Sequence, residues 1–514
     1  MESQEEPQRG HVSRLARGLG PLIPPILLAA YPLLSLFEQN QTDLPVGVIW
    51  SPLAVTVVAI LVLYGVLVLV FRSGLKAGAL TSLCVVVFFY WGTFKADLSG
   101  LHISDGVLLA VWLVLFLAGV VLLVRTKRSL VTLALGLGVL AAVLAVVPFV
   151  KIASYQADNP AVRSTDSRLW SAPLPEPAAP TGARPDVYVI IPDDYARSDV
   201  LNKYFHYDNS AFIRQLNQRG FVVSDQARSP YSDSESNIAA ELNMDYLNGL
   251  GKILGQKSED VRPLKTLIED NRASRLLKQL RYRYVHIDSD EVTYAAGNPG
   301  ISSVATPDSF TSLWLQKSVL AMVGGSFGFT TSAANDRFRD SVHSAFAELA
   351  ATAGDPGPKF VVFHTLMPHD PYIFGARGEP VTFPDNSDTG HGTKLGMTYY
   401  LRQLRYIETQ LLASVDAIQK GSKVPPVIVI QSDEGFEANP ENFGEATMQD
   451  IRVKGLTAIS LPGVSGVRAP SPPTTVNTLR YVFNRSFGTH YPMLRAASYP
   501  EGDFPYQFQE MRVR

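Results

Sequence analysis

Cysteine is almost missing from these 514 residues: Cys84 is the only one, and it lies inside an apolar run. Everything after that run is therefore without disulfides, cysteine-built metal sites or a thiolate nucleophile. The lack of disulfides does not argue against export, because a domain of several hundred residues can bury enough core without them. An excess of either charge is also missing. The formal net charge is -2, and no basic cluster is interleaved with aromatics, which gives no reason to expect a nucleic-acid partner. Up to Val150, ionisable residues of any kind are scarce. The apolar runs there contain almost none, so a transport pathway through them is disfavoured.

What fills that first stretch is hydrophobic sequence. Five runs stand out, at about Leu19–Phe37, Val46–Phe71, Ala77–Phe94, Gly106–Val124 and Leu130–Val150. Each is near the roughly 20 residues that cross a hydrocarbon core of about 30 Å. The first contains Pro21, Pro24, Pro25 and Pro32, which predict a kink; no small-residue cleavage site follows it, as a signal peptide would require. Basic residues favour alternate loops: Arg9, Arg14 and Arg17, then Arg72 and Lys76, then Arg125, Lys127 and Arg128. The intervening loops carry Glu38 and Asp43, then Lys95, Asp97 and Asp105. By the positive-inside rule the N-terminus is expected in the cytoplasm. An odd number of spans then places everything after Val150 outside it.

Residues 151–184 are rich in Pro, Ala, Ser and Asp and predict an extended tether, which leaves 1–150 as a transmembrane domain and 185–514 as an extracytoplasmic domain. In the latter, short apolar runs alternate with helical patterns. Asp186–Ile191, Lys359–His364 and Val427–Ile430 read as buried strands, with weaker candidates at Arg283–His286 and Leu456–Leu461. Asn209–Arg219, Ser234–Leu247, Thr398–Lys420 and Thr475–Phe487 have helical spacing. The alternation predicts an α/β layer fold with a mostly parallel sheet, whose ligands bind beyond the carboxyl ends of the strands.

Polar residues concentrate there. The first strand ends in Asp193 and Asp194, and the strand at Val427 ends in Asp433, Glu434 and Gly435. Two acid pairs at the ends of two buried strands suit a hard divalent ion such as Mg²⁺, Mn²⁺ or Ca²⁺; equally, each pair suits the cap of a following helix. Ser229-Pro-Tyr-Ser-Asp-Ser-Glu-Ser-Asn237 runs directly into an apolar-periodic stretch, so Ser234 stands at a helix N-terminus. That placement fits an ordinary cap, or a hydroxyl nucleophile beside bound phosphate. His369, flanked by Pro368 and by Asp370-Pro371, could donate to a substrate oxygen or bind metal. His286, His364 and His490 read as structural.

Taken together, these segments resemble the alkaline-phosphatase/sulfatase superfamily. Within it they are most similar to membrane-anchored sulfatase-like hydrolase/transferases, the branch of lipoteichoic-acid synthases and phosphoethanolamine transferases. The resemblance rests on Pro185-Asp-Val-Tyr-Val-Ile-Ile-Pro-Asp193, Tyr207-Asp-Asn-Ser-Ala-Phe212, Tyr231-Ser-Asp-Ser-Glu235 with Leu242-Asn-Met-Asp-Tyr-Leu247, Pro368-His-Asp-Pro-Tyr372 and Ser432-Asp-Glu-Gly435. Asn477-Thr-Leu-Arg480 and Phe487-Gly-Thr-His-Tyr-Pro492 close it. It implies Asp193 and Asp433 as ligands of a divalent metal, Glu434 at the next ligand position, Asp194 as an additional ligand, Ser234 as nucleophile and His369 as a contact to substrate phosphate.

The sequence departs from the pattern twice. Asp433-Glu-Gly435 stands where many relatives have Asp-His-Gly, which implies either a silent site or one tuned to a hard ion. Ser234 is followed by Ser236 and Ile238 rather than the Pro and Arg that formylglycine formation in sulfatases needs. The expectation is a metal-dependent phosphodiester or phosphomonoester hydrolase, or phospho-group transferase, of the plasma (inner) membrane. It would act on a lipid head group or cell-envelope glycan through a covalent serine intermediate. A catalytically silent envelope scaffold is the alternative, and a sulfuric ester hydrolase the third reading.

Overall fold

The computed structural model describes residues 20–98, 103–175, 184–289, 301–303, 309–320, 331–382, 393–437, 443–500 and 502–511. Arg9, Arg14 and Arg17 of the charge pattern, and Pro177 and Pro180 of the predicted tether, lie outside the described residues. The chain divides into two compact units. One comprises Met1–Pro160 with Pro307–Ala333, the other Ala161–Thr306 with Ala334–Arg514.

Four helices of the first unit are long and apolar enough to cross a membrane: Gly20–Gln39, Val46–Phe71, Gly106–Arg125 and Val131–Asp158. Pro24 and Pro25 sit in the first turn of the first helix, where missing N–H groups cost nothing, and the helix continues through Pro32. The third predicted run differs from expectation. It forms the 16-residue helix Gly74–Phe89, stops at Tyr90 and resumes as Trp91–Asp97. At 1.5 Å per residue, 16 residues reach about 24 Å, short of the ~30 Å core. The break is fixed by one side-chain and one main-chain hydrogen bond. Tyr90 donates its hydroxyl to the Leu28 carbonyl (3.0 Å), and Gly92 N–H donates to the Lys317 carbonyl (2.8 Å). A Cβ at Gly92 would lie 2.7 Å from that oxygen. The segment carrying Lys317 includes the helix Ser309–Gln316. Its Trp314 stacks on Phe89 at 5.1 Å, and its Phe310 meets Phe37 edge-on at 6.2 Å.

The second unit is built on a seven-stranded sheet in the order β2-β7-β6-β1-β5-β3-β4. The strands are β1 (Val187–Asp193), β2 (Val222–Val223), β3 (Arg283–Asp288), β4 (Ile301–Ser303), β5 (Lys359–Pro368), β6 (Val427–Gln431) and β7 (Thr457–Ser460). β6, β1, β5, β3 and β4 run parallel; β7 and β2 continue the sheet antiparallel at one edge. Every residue of β1 and β6 is buried, as parallel strands covered on both faces require. Val187, Val189 and Ile191 join one hydrophobic cluster with Ile238 and Leu242, while Tyr188 and Ile190 join the other with Leu404 and Ile407. The helix Ser234–Asn243 thus covers one face and Lys394–Gly421 the other.

The predicted tether also differs. Lys151–Asp158 continues a helix, and the residues from Ala161 belong to the second unit. Leu169 is buried there, its carbonyl so close to Gly249 that a Cβ would approach it to 2.4 Å. Ser171 donates both its N–H and its hydroxyl to Asp245. Val162, Leu169, Trp170 and Leu174 give this stretch apolar surface to bury against the second unit's core.

Candidate active site

The polar residues gather where the carboxyl ends of β6, β1, β5 and β3 lie side by side. The register sets Ile191, His364 and Asp288 at one level, and β1 delivers Asp193 two residues further on, opposite Pro368 of β5. Asp433 follows two residues after β6 ends. Ser432 joins the two acid-bearing ends: its hydroxyl accepts from Tyr195 N–H (2.9 Å) and donates to the Pro192 carbonyl (2.8 Å). Asp194 adopts the left-handed conformation at φ 59, which Asp tolerates better than most residues, and its carbonyl accepts from Tyr400 (2.8 Å).

Ser234 approaches from the covering helix. Asp233, the N-cap, accepts from Ser236 N–H at 2.7 Å and starts the helix at Ser234. The Ser234 hydroxyl donates to Asp193 Oδ2 at 3.3 Å. Both expected features of the serine segment therefore coexist, with Asp233 as the cap and Ser234 facing the carboxylates.

Two groupings of potential metal ligands share Asp193. Asp193, His364 and Asp433 form one, Asp193, Asp194 and Glu434 the other; in each, one ligand atom per residue lies within 4.8 Å of the rest. All five side chains are buried. Asp193 Oδ1 and Asp433 Oδ2 have no hydrogen-bond partner among the described residues. Leaving a buried carboxylate oxygen unmatched costs several kcal/mol, and a coordinated cation removes that cost. The donor set of the first grouping, two carboxylates and an imidazole, thus fits a divalent metal.

The electrostatics agree. Burial pushes Asp193 well above the usual carboxylate range, and the neighbouring Asp433 and Asp194 push it further. Burial also raises Asp433, against the opposing pull of His364 and the Glu434 N–H. Glu434 is raised by burial, with Arg452 opposing. For His369, burial would depress the imidazolium, but Asp194, Asp370 and Glu437 outweigh it and lift the group well above its ordinary 6.5. The Nδ1 of His369 lies 2.8 Å from the Asp370 carbonyl, and its Nε2 lies 3.5 Å from Glu437.

The structure brings Asp193, Asp194, Ser234, Asp433 and Glu434 together, and sets His369 among the acids that charge it. It also adds residues the sequence reading missed. His364, read as structural, presents Nε2 to Asp433 at 3.9 Å while Nδ1 is 3.1 Å from Asp288. The available signal was the strand period: His364 continues the face of Phe360 and Val362, at the carboxyl end next to Asp193. Arg452, 3.1 Å from Glu434, had no local signal.

No family model matches the sequence, and no curated protein matches it. Among solved structures, the chain is similar to the C-terminal periplasmic domain of EcEptC from Escherichia coli. The two are 13% identical over 65% of this chain and 98% of that one, with a TM-score of 0.40. It is similar to a 2-O GAG sulfatase (14% identity, 60% and 72% coverage, TM-score 0.40). A protein in the alkaline phosphatase superfamily from Vibrio parahaemolyticus is also similar (14% identity, 68% and 80% coverage, TM-score 0.36).

Proposed function

We propose that this chain is a metal-dependent hydrolase or transferase of phosphate esters that works at a membrane surface through a covalent phosphoserine at Ser234. The observation that carries the reading is the Ser234 hydroxyl, at a helix N-terminus and 3.3 Å from a buried carboxylate whose other oxygen is unmatched. A divalent ion held by Asp193 and Asp433, with His364 as third donor, would stabilise negative charge on phosphate oxygens and lower the hydroxyl's pKa. The imidazole donor moves the preference from Mg²⁺ and Ca²⁺ toward Mn²⁺ or Zn²⁺.

The chain's own residues account for the rest. Asp193 Oδ2 orients the Ser234 hydroxyl and takes its proton. The serine oxygen forms a bond to phosphorus as the bond to the leaving oxygen breaks. His369, held protonated by its acidic neighbours, donates a proton to that oxygen. The positive end of the helix that begins at Ser234 favours the phosphoserine anion. Water or an acceptor hydroxyl then displaces the serine, giving its proton to His369 as Asp193 returns its proton to the departing serine oxygen. A lipid head group or envelope glycan suits a domain that follows membrane helices. Sulfate-ester hydrolysis is disfavoured by Ser236 and Ile238, which leave Ser234 unmodified.

The test uses the full chain in detergent with an aryl phosphodiester and with phospholipid, with and without Mn²⁺. Expected are metal-dependent turnover, its loss in Ser234→Ala, and a phosphate adduct on the Ser234 peptide by mass spectrometry. Turnover that survives Ser234→Ala removes the serine mechanism; no turnover with any metal favours the silent scaffold.

A further inference from the structure

The two metal-ligand groupings at Asp193 are not equivalent, because one already contains a cation. Arg452 places Nε 3.1 Å from Glu434 Oε2, and its Nη1 is 3.3 Å from Glu437 Oε1. Glu437 in turn approaches His369 Nε2 at 3.5 Å. Charges thus alternate along Glu434, Arg452, Glu437 and His369. The Glu434–Arg452 pair is no surface bridge: the side chains are 3% and 16% exposed.

The main chain fixes it too. Arg452 ends the helix Glu445–Arg452, and its carbonyl accepts from Gly435 N–H at 2.5 Å. The guanidinium is therefore anchored one residue from the carboxylate it meets. In the other grouping, by contrast, Asp433 Oδ2 is unmatched and its neighbour is an imidazole at 3.9 Å.

We infer that Arg452 is the built-in second cation of this site. Its guanidinium, charged at every pH of interest, neutralises Glu434 and keeps the Asp194/Glu434 side closed to metal. The site thereby becomes mononuclear, at Asp193, His364 and Asp433. Glu434 is then a positioning residue held by Arg452 rather than a ligand, in contrast to the role its place in Asp433-Glu-Gly435 suggests. This rests on the reading that Asp193 and Asp433 hold a metal.

The experiment counts ions on the full chain in detergent, by equilibrium dialysis against Mn²⁺ and elemental analysis. Wild type is expected to bind one Mn²⁺, and Asp193→Asn none. Removing the guanidinium in Arg452→Gln frees Glu434, and stoichiometry rises toward two; Arg452→Lys keeps the charge and stays at one. Glu434→Gln in the otherwise native chain retains one ion with affinity within about threefold of wild type, a readout available even where Arg452→Gln fails to fold. Two ions on wild type, one on folded Arg452→Gln, or loss of the ion in Glu434→Gln each overturns the inference. Zero on wild type instead overturns the metal reading beneath it.

Discussion

Gly435 offers the sharpest test of how the site is held. It follows Asp433 and Glu434, is buried, and turns the chain under the end of the helix Glu445–Arg452. A Cβ there would stand 2.3 Å from the Ile451 carbonyl oxygen and 2.7 Å from that of Lys454. Both neighbours are backbone, so neither can rotate away. Restoring an ordinary carbon–oxygen approach of ~3.3 Å requires the loop to move by about 1 Å. Misplacing catalytic groups by ~1 Å costs on the order of 10²-fold in rate, whereas overpacking costs only about 1–3 kcal/mol of stability. Gly435→Ala is therefore expected to fold, to lose roughly 100-fold in kcat/KM toward an aryl phosphodiester, and to weaken Mn²⁺ binding as Asp433 shifts. The assay pairs steady-state kinetics with a thermal unfolding curve on the detergent-solubilised chain. A Gly435→Ala protein that unfolds near the wild-type temperature and keeps activity within a few-fold would refute the claim that this close approach sets the Asp433 and Glu434 geometry.

Two further substitutions probe the scaffold. Lys359 is completely buried with Nζ 2.6 Å from Asp186 at the start of β1 and β5, so Lys359→Met strands a carboxylate and should cost about 3–5 kcal/mol. Adding Asp186→Asn should recover most of that loss in the unfolding temperature, and a double variant no better than the single one would contradict the pairing. Glu408 accepts from Tyr195 at 2.8 Å and Tyr207 at 2.9 Å, and burial raises it above its ordinary 4.5 despite both hydroxyls. Its contribution to stability is thus fully present below pH 4.5 and lost as pH rises through the raised folded value. Wild type should lose stability relative to Glu408→Gln as pH climbs above 4.5; a difference independent of pH would count against this.

How much of this could be read without coordinates depended on the range of the signal. β1, β5 and β6 were visible as apolar runs, and Asp193, Ser234 and Asp433 as polar residues where those runs or a helix begin or end. β2 and β4, of two and three residues, are too short for a pattern and owe their assignment to pairing with β7 and β3. His364 read as structural because a histidine inside an apolar strand has the same local appearance whether it packs or ligates. Only the parallel register, which sets it between Ile191 and Asp288, places it at the strand ends where the acids gather. Arg452 lies 18 residues beyond Glu434, and nothing in a helix ending Gln-Asp-Ile-Arg452 indicates which side chain it meets.

The third apolar run shows the same limit in the other unit, and it changes how the membrane half is understood. Hydropathy treated Ala77–Phe94 as one more span, because Trp91 and Phe94 are apolar. The structure ends the helix at Phe89 and uses the following residues to receive a segment from between β4 and β5. Phe310 and Trp314 are buried there, each by roughly 1.5–3 kcal/mol of transfer free energy on the scale of large apolar side chains. Gly92 is needed because the Lys317 backbone lies against it. Sequence between two strands of the sheet thus completes the packing of the helical unit, and the unit is more than a run of spans preceding the domain. A fragment beginning near Arg184 would carry Phe310 and Trp314 without Phe37, Phe89 and Gly92. For that reason the full chain, rather than its soluble half, is the form in which the proposed chemistry should be measured.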